Sequence, residues 1–228
     1  MTAETAAGGS IRCPRAHLGL RFIFWAEICT AVSAVMTVIV YLVMTIAMNR
    51  GDTSLLTTQE YFTMIQVETN VSNVFSAVSL ALNMAGMILA ARDEKGFLNG
   101  VWVVLINAAC LLIKNIELSD ALAFIYLFGW ANVISRTCEV LRSFMVMTGI
   151  MNMADRLRND IAADNAEKTR MTLFFLFAVT VVGELLISGE NSTSDIGIWI
   201  SYGMTGVEIV TLIVYMRGIV RGRRMLQE

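Results

Sequence analysis

Six apolar segments, each near the length that crosses a bilayer, constrain this chain more than any other feature. A transmembrane helix needs about 20 predominantly apolar residues. The chain is 56% hydrophobic and only 16% charged, whereas soluble domains carry about 25% charged residues. The sequence therefore predicts an all-α integral membrane protein, a bundle of six transmembrane helices within one domain over residues 18–218. The predicted spans are residues 22–48, 71–91, 97–113, 121–153, 171–188 and 196–216.

The segments outside these spans are short. Residues 1–17 are small and polar and predict a disordered cytoplasmic tail, and residues 219–228 predict a basic cytoplasmic tail. The span 97–113 is the shortest of the six, so a re-entrant hairpin formed together with segment 121–153 is an alternative. We expect a multi-pass protein of a bacterial inner membrane or of a eukaryotic membrane.

The distribution of basic residues predicts the orientation of the bundle. With six spans and a cytoplasmic N-terminus, thirteen of the 17 basic residues fall on the cytoplasmic side. Only Arg50 and Lys114 fall on the outer side of the membrane. This bias follows the positive-inside rule and predicts that both termini are cytoplasmic. Four basic residues near the C-terminus are also candidates for contact with anionic lipid headgroups: Arg217, Arg221, Arg223 and Arg224.

Ionisable residues within the predicted spans form the candidate functional site. Charged side chains are costly at the centre of a bilayer and usually face a partner, a cavity or a pathway. Arg136, Glu139 and Arg142 lie three residues apart in the fourth span. Glu208 falls near the same depth in the sixth span, which we expect to be an antiparallel neighbour of the fourth. The whole candidate intramembrane polar site is Arg136, Glu139, Arg142, Glu208, Glu184, Glu27, Asn83 and Asn107.

Two interpretations of this site compete. One is a proton or cation path that uses Glu208 and Glu184, with Arg136 as the counter-charge. The other is a buried ion-pair network that sets the register of the helices, with Glu27 and Glu184 near enough to the span ends to reach the interface. Since four acids accompany two arginines at membrane depth, two carboxylates remain without a counter-charge and are expected to be protonated or to touch water.

Small and polar residues follow one face of several spans. Such residues mark the helix faces that pack together in a membrane, so they predict a compact bundle with a polar interior. The second span carries Ser72, Ser76, Ser79, Asn83 and Gly86 at alternating steps of four and three. The first span carries Glu27, Thr30, Ala34, Thr37 and Tyr41 in the same way.

Two classes of function follow from these patterns. The sequence carries no catalytic or cofactor motif and a single histidine, so we expect no catalytic, cofactor-binding or metal-binding residues. A net charge of −2 gives no indication of a nucleic-acid partner. The first class is a small ion or solute permeation protein, possibly linked to protons, that uses Glu208, Arg136 and Glu139. The second is a non-catalytic accessory, scaffold or signalling subunit, which docks a protein partner or a second copy through the ridge Ala77–Ala81–Ala85.

Overall fold

Six α-helices make up the described part of the chain. The computed structural model describes residues 13–49, 59–114, 121–189 and 195–227, and these ranges contain no strand. The prediction of an all-helical chain is therefore confirmed for these residues. The helices are α1 (Pro14–Asn49), α2 (Gln59–Ala91), α3 (Gly96–Lys114), α4 (Ala121–Arg156), α5 (Asp160–Gly189) and α6 (Asp195–Met225).

Four of these helices are long and apolar enough to cross a membrane, counted over the described residues. The re-entrant alternative for segment 97–113 finds no support, because α3 is one continuous helix of 19 residues and reaches about 28 Å. The apolar stretches are Pro14–Val40 in α1, Thr63–Ala91 in α2, Gly96–Ile113 in α3 and Gly203–Met225 in α6.

Both predicted tails are shorter than the sequence suggested. The helix α1 begins at Pro14, so residues 14–17 belong to it, while residues 1–12 lie outside the described part. Proline suits the first helical position because the N–H that it lacks would have no partner there. The side chain of Asp93 accepts a hydrogen bond from the N–H of Ala16 at 2.8 Å and caps this helix end. At the other terminus α6 continues to Met225, so most of the predicted tail 219–228 is helical.

A tight corner joins α4 to α5. The helix α4 ends at Arg156, and α5 begins at Asp160. Arg158 adopts a left-handed conformation with φ 56°, and the N–H of Asn159 bonds back to the carbonyl of Ala154 at 2.9 Å. This is the Schellman arrangement that ends many helices, formed here without glycine.

Replacing Asn159 by alanine is expected to lower the free energy of unfolding by about 1 kcal/mol. The Asn159 Oδ1 accepts a hydrogen bond from the N–H of Ala162 at 3.0 Å and caps the start of α5. Titration of unfolding with sodium dodecyl sulfate in mixed micelles measures the loss. Asn165→Ala is the control, because the Asn165 amide bonds only to the Ile161 carbonyl on the surface of the same helix. Equal losses in the two variants would contradict the capping role.

The six helices form a ring in chain order. Each helix contacts the next one, and α6 contacts both α4 and α1, so that the ring closes. The start of α1 and the residues that follow α6 meet at one end of this bundle, where a hydrogen bond of 3.1 Å joins Gln227 and His17. At this same end Arg156 pairs with Glu94 and donates to the carbonyl of Asp93. We call this end of the bundle the termini end, and the other end of the bundle the opposite end.

The packed core occupies the half of the bundle near the termini end. In this half, α1 and α2 approach each other closely at Gly19 and Gly86. A Cβ on Gly86 would lie 2.6 Å from the carbonyl oxygen of Gly19. Dense packing of this half closes the interior of the bundle toward the termini end. The largest fully buried apolar side chains in it are Leu20, Ile23, Met87, Phe97, Val146, Met147, Met153, Ile219 and Leu226.

Candidate functional site

A buried ion pair crosses the interior of the bundle. The Nη2 atom of Arg142 on α4 lies 2.8 Å from the Oε1 atom of Glu27 on α1, and the two side chains are 10% and 3% exposed. Since α1 and α4 are not adjacent in the ring, the pair links opposite sides of it. Both charges are thus removed from solvent, and each depends on the other for its stability.

The side chain of Glu27 differs from the expectation that it lies near a span end and reaches the interface. Because α1 begins at Pro14, eight residues before the predicted span 22–48, more than three helical turns precede Glu27. Its side chain is 3% exposed and pairs with Arg142 inside the bundle.

Two further polar side chains lie beside this ion pair. Asn83 on α2 is fully buried next to Glu27, and Tyr215 on α6 is 3% exposed next to Arg142. Neither contact meets strict hydrogen-bond geometry, but Asn83 lies close enough to interact with the Glu27 carboxylate, and Tyr215 with the Arg142 guanidinium. Four helices thus bring one carboxylate, one guanidinium, one amide and one phenol together in the core.

A second ion pair lies nearer the opposite end. Arg136 on α4 and Glu208 on α6 are 3.7 Å apart, and each side chain is 56% exposed. From the sequence we predicted that these two residues lie at the same depth and that their helices are antiparallel. The antiparallel prediction is wrong. They run in the same direction, because Met147 and Gly218, each about ten residues further along, also meet. Successive helices of the ring alternate in direction, so the fourth and sixth are parallel.

Along α4 and α6, side chains are exposed at the Arg136–Glu208 pair and become buried toward the Glu27–Arg142 pair. Glu208 and Tyr215 are seven residues apart on α6, two helical turns, and share one face. Arg136 and Met147 similarly share a face of α4, where Met147 is completely buried. The exposed residues at the opposite end are therefore not on the outer surface of the ring. We call the exposed region around Arg136, Glu139 and Glu208 the opening.

Of the remaining candidate residues, Glu139 lies one helical turn before Arg142 and is close enough to act electrostatically on it. Asn107 on α3 is buried and accepts a hydrogen bond of 2.7 Å from the Ser135 hydroxyl, which ties α3 to α4. Glu139 is exposed on α4 and makes a further interaction of its own. Glu184 belongs to α5, but its side chain lies outside the described part.

The polar stripes of the first two spans face each other along the contact between α1 and α2. Three side-chain hydrogen bonds connect them: Thr30 with Ser79 at 2.9 Å, Ser33 with Ser72 at 2.8 Å, and Thr37 with Glu68 at 2.6 Å. Sequence reasoning missed Ser33 and Glu68. For Glu68 a signal existed, because it lies one helical turn before Ser72 and continues the same stripe. These satisfied bonds hold two helices together.

Comparisons with protein-family models, curated proteins and solved structures return no match for this chain. Its function is therefore inferred from the four polar side chains of the core and from the opening beside them. Both features come from helices that the described residues place in direct contact.

Proposed function

We propose that all six helices cross the membrane and that the termini end faces the cytoplasm. The charge distribution supports this orientation, because the basic residues that the sequence assigns to the cytoplasmic side lie before or within the first turns of α1, between α2 and α3, around the corner between α4 and α5, and in the last turns of α6. Contacts at the termini end support it as well, since Asp93 reaches Ala16 and Gln227 reaches His17. The opening then faces the outside.

We propose that the protein lets a small ion or solute, with protons as the first candidate, enter the membrane through this opening. The observation that carries the proposal is the exposure of Glu208 and Arg136 on interior helix faces that are buried two or three turns further on. A charged pair within an apolar region is costly unless it meets water or a partner. Water in the opening supplies that environment.

The two ion pairs provide successive sites for an entering species. Arg136 and Arg142 are separated by roughly 9 Å along α4. At the first site the carboxylate of Glu208 accepts a proton or a cation, while Arg136 balances the charge. At the second site, the buried polar groups of Asn83 and Tyr215 lie beside the ion pair without well-formed hydrogen bonds. A small hydrogen-bonding species that reaches them gains better-formed bonds, each contributing about 1 kcal/mol.

The Glu27–Arg142 ion pair is the barrier in this proposal. It lies between the opening and the packed core of the termini end, where the interior is filled by apolar side chains. Passage requires this pair to separate or to exchange a partner with the entering species. The described conformation is therefore open to the outside and closed to the cytoplasm.

Glu208→Gln is expected to reduce proton flux into reconstituted vesicles by about tenfold, equivalent to roughly 1.4 kcal/mol. The substitution keeps the shape of the side chain and removes the group that accepts a proton. A pH-sensitive dye trapped in the vesicles and an imposed potassium diffusion potential give the rate. The control is Glu167→Gln, an exposed glutamate near Arg170 at the termini end. Normal flux in Glu208→Gln together with a lower unfolding temperature would make the Arg136–Glu208 pair structural.

A second candidate function is that of a non-catalytic subunit, and one observation favours it. Ala77, Ala81 and Ala85 are all exposed along one face of α2, and small residues four apart allow close approach of another transmembrane helix. Purification in a mild detergent, followed by mass measurement, distinguishes the candidates. A single chain without a co-purifying protein contradicts the subunit role, whereas a stable complex with no vesicle flux contradicts the permeation role.

A further inference from the structure

The contact between α1 and α6 at the termini end brings together basic side chains. His17, Arg21 and Phe24 lie on one face of α1, at steps of four and three residues. Opposite them on α6, the guanidinium carbon of Arg223 lies 5.9 Å from the centre of the Phe24 ring, and Gln227 bonds to His17. Stacking on the ring holds the Arg223 side chain in place across this contact.

The charges at this contact are not balanced by acidic groups. Arg21 and Arg223 are both close enough to act electrostatically on His17. Among the described residues, neither arginine has a carboxylate within ion-pair distance, and the Nε atom of Arg223 is buried without a hydrogen-bond partner. Two guanidinium groups therefore repel each other across the contact that closes the ring, and a buried donor remains available.

We propose that the phosphate group of an anionic phospholipid binds between Arg21 and Arg223. Arginine is suited to phosphate because its planar group of donors matches the phosphate oxygens. A phosphate placed here neutralises the repulsion and accepts the free hydrogen bond of Arg223. Basic sites between transmembrane helices at the cytoplasmic side have this chemistry in common with lipid headgroup sites.

The surface around Arg21 favours a lipid over a soluble anion. Trp25 lies one turn deeper than Arg21 along the same face of α1 and is 49% exposed. A tryptophan in this position offers contact to acyl chains, and tryptophan is enriched where membranes meet water. The headgroup and the chains of one phospholipid thus both find matching surface. Bound in this way, the lipid links α1 to α6 and stabilises the closed ring.

Native mass spectrometry of the full chain, purified in the presence of phosphatidylglycerol and phosphatidylcholine, tests this site. We expect preferential retention of phosphatidylglycerol by the wild type, and a loss of about fivefold in Arg21→Gln and in Arg223→Gln. Arg158→Gln is the matched control, because Arg158 is exposed at the corner between α4 and α5, at the same end of the bundle but outside the contact between α1 and α6. Equal retention by all four proteins would overturn the proposal.

A second arm separates lipid from free phosphate. Thermal unfolding is measured in phosphatidylcholine nanodiscs, with either phosphatidylglycerol in the bilayer or inorganic phosphate in the buffer. The lipid is expected to raise the unfolding temperature of the wild type and of Arg158→Gln only, while phosphate leaves it unchanged. A rise with phosphate equal to that with the lipid would show a site for soluble anions and contradict the lipid assignment. Neither measurement depends on the permeation role proposed above.

Discussion

Arg142→Ala is expected to lower the free energy of unfolding by about 3–5 kcal/mol. The change leaves the Glu27 carboxylate, which is 3% exposed, without its partner at 2.8 Å. A charge left alone in an apolar interior costs far more than the ion pair contributed. Reversible unfolding in mixed micelles measures the difference between variant and wild type.

Arg136→Ala is the matched control for this prediction. It removes the same side chain from the same helix, but the pair with Glu208 is more than half exposed and its atoms are 3.7 Å apart. Exposed ion pairs contribute about 0–1 kcal/mol, so a small loss is expected. A loss in Arg136→Ala as large as that in Arg142→Ala would contradict the assignment of Arg142 to the core.

The double variant Glu27→Leu with Arg142→Met separates structure from function at the same site. Replacing both partners by apolar side chains of similar size removes the buried charges together, so most of the stability is expected to return. Flux in vesicles then gives the functional result. Loss of flux in a stable double variant supports a role of the pair in permeation, whereas normal flux shows that the pair only holds the bundle together.

Gly86→Ala is expected to destabilise the protein by about 1–3 kcal/mol, although alanine is the better helix former by about 1 kcal/mol. The new Cβ would lie 2.6 Å from the Gly19 carbonyl oxygen and 2.7 Å from the Ile23 side chain. A backbone oxygen cannot move aside without a shift of the whole of α1. The free energy of unfolding in mixed micelles again gives the result.

Gly206→Ala is the control for the glycine contact. A Cβ at Gly206 meets no atom within 4 Å, so only the gain in helix propensity remains, and unchanged or slightly higher stability is expected. A similar loss at both positions would mean that the glycines act through the helix backbone and not through the contact between α1 and α2.

The pairing of Arg136 with Glu208 shows how far depth along a helix can be read from sequence. Rise per residue placed both near one level, and the structure has them 3.7 Å apart. The expectation of antiparallel packing was wrong, although the number of spans already implied the direction, because the fourth and sixth of six alternating spans run the same way. The partner of Arg142 could not be read from sequence, because Glu27 comes from α1, which is not adjacent to α4 in the ring.

Hydropathy along the chain by itself predicted helices long and apolar enough to cross a membrane, and the described residues contain four of them. Periodicity also determined which faces of α1 and α2 carry polar groups, because side chains three and four residues apart share a face. Only the tertiary structure decided which charges are buried. Glu27, Asn83, Arg142 and Tyr215 come from four helices and are distant in sequence, and their meeting depends on helix ends, direction and the close contact at Gly19 and Gly86. Those features arise from packing between helices, which no local pattern contains.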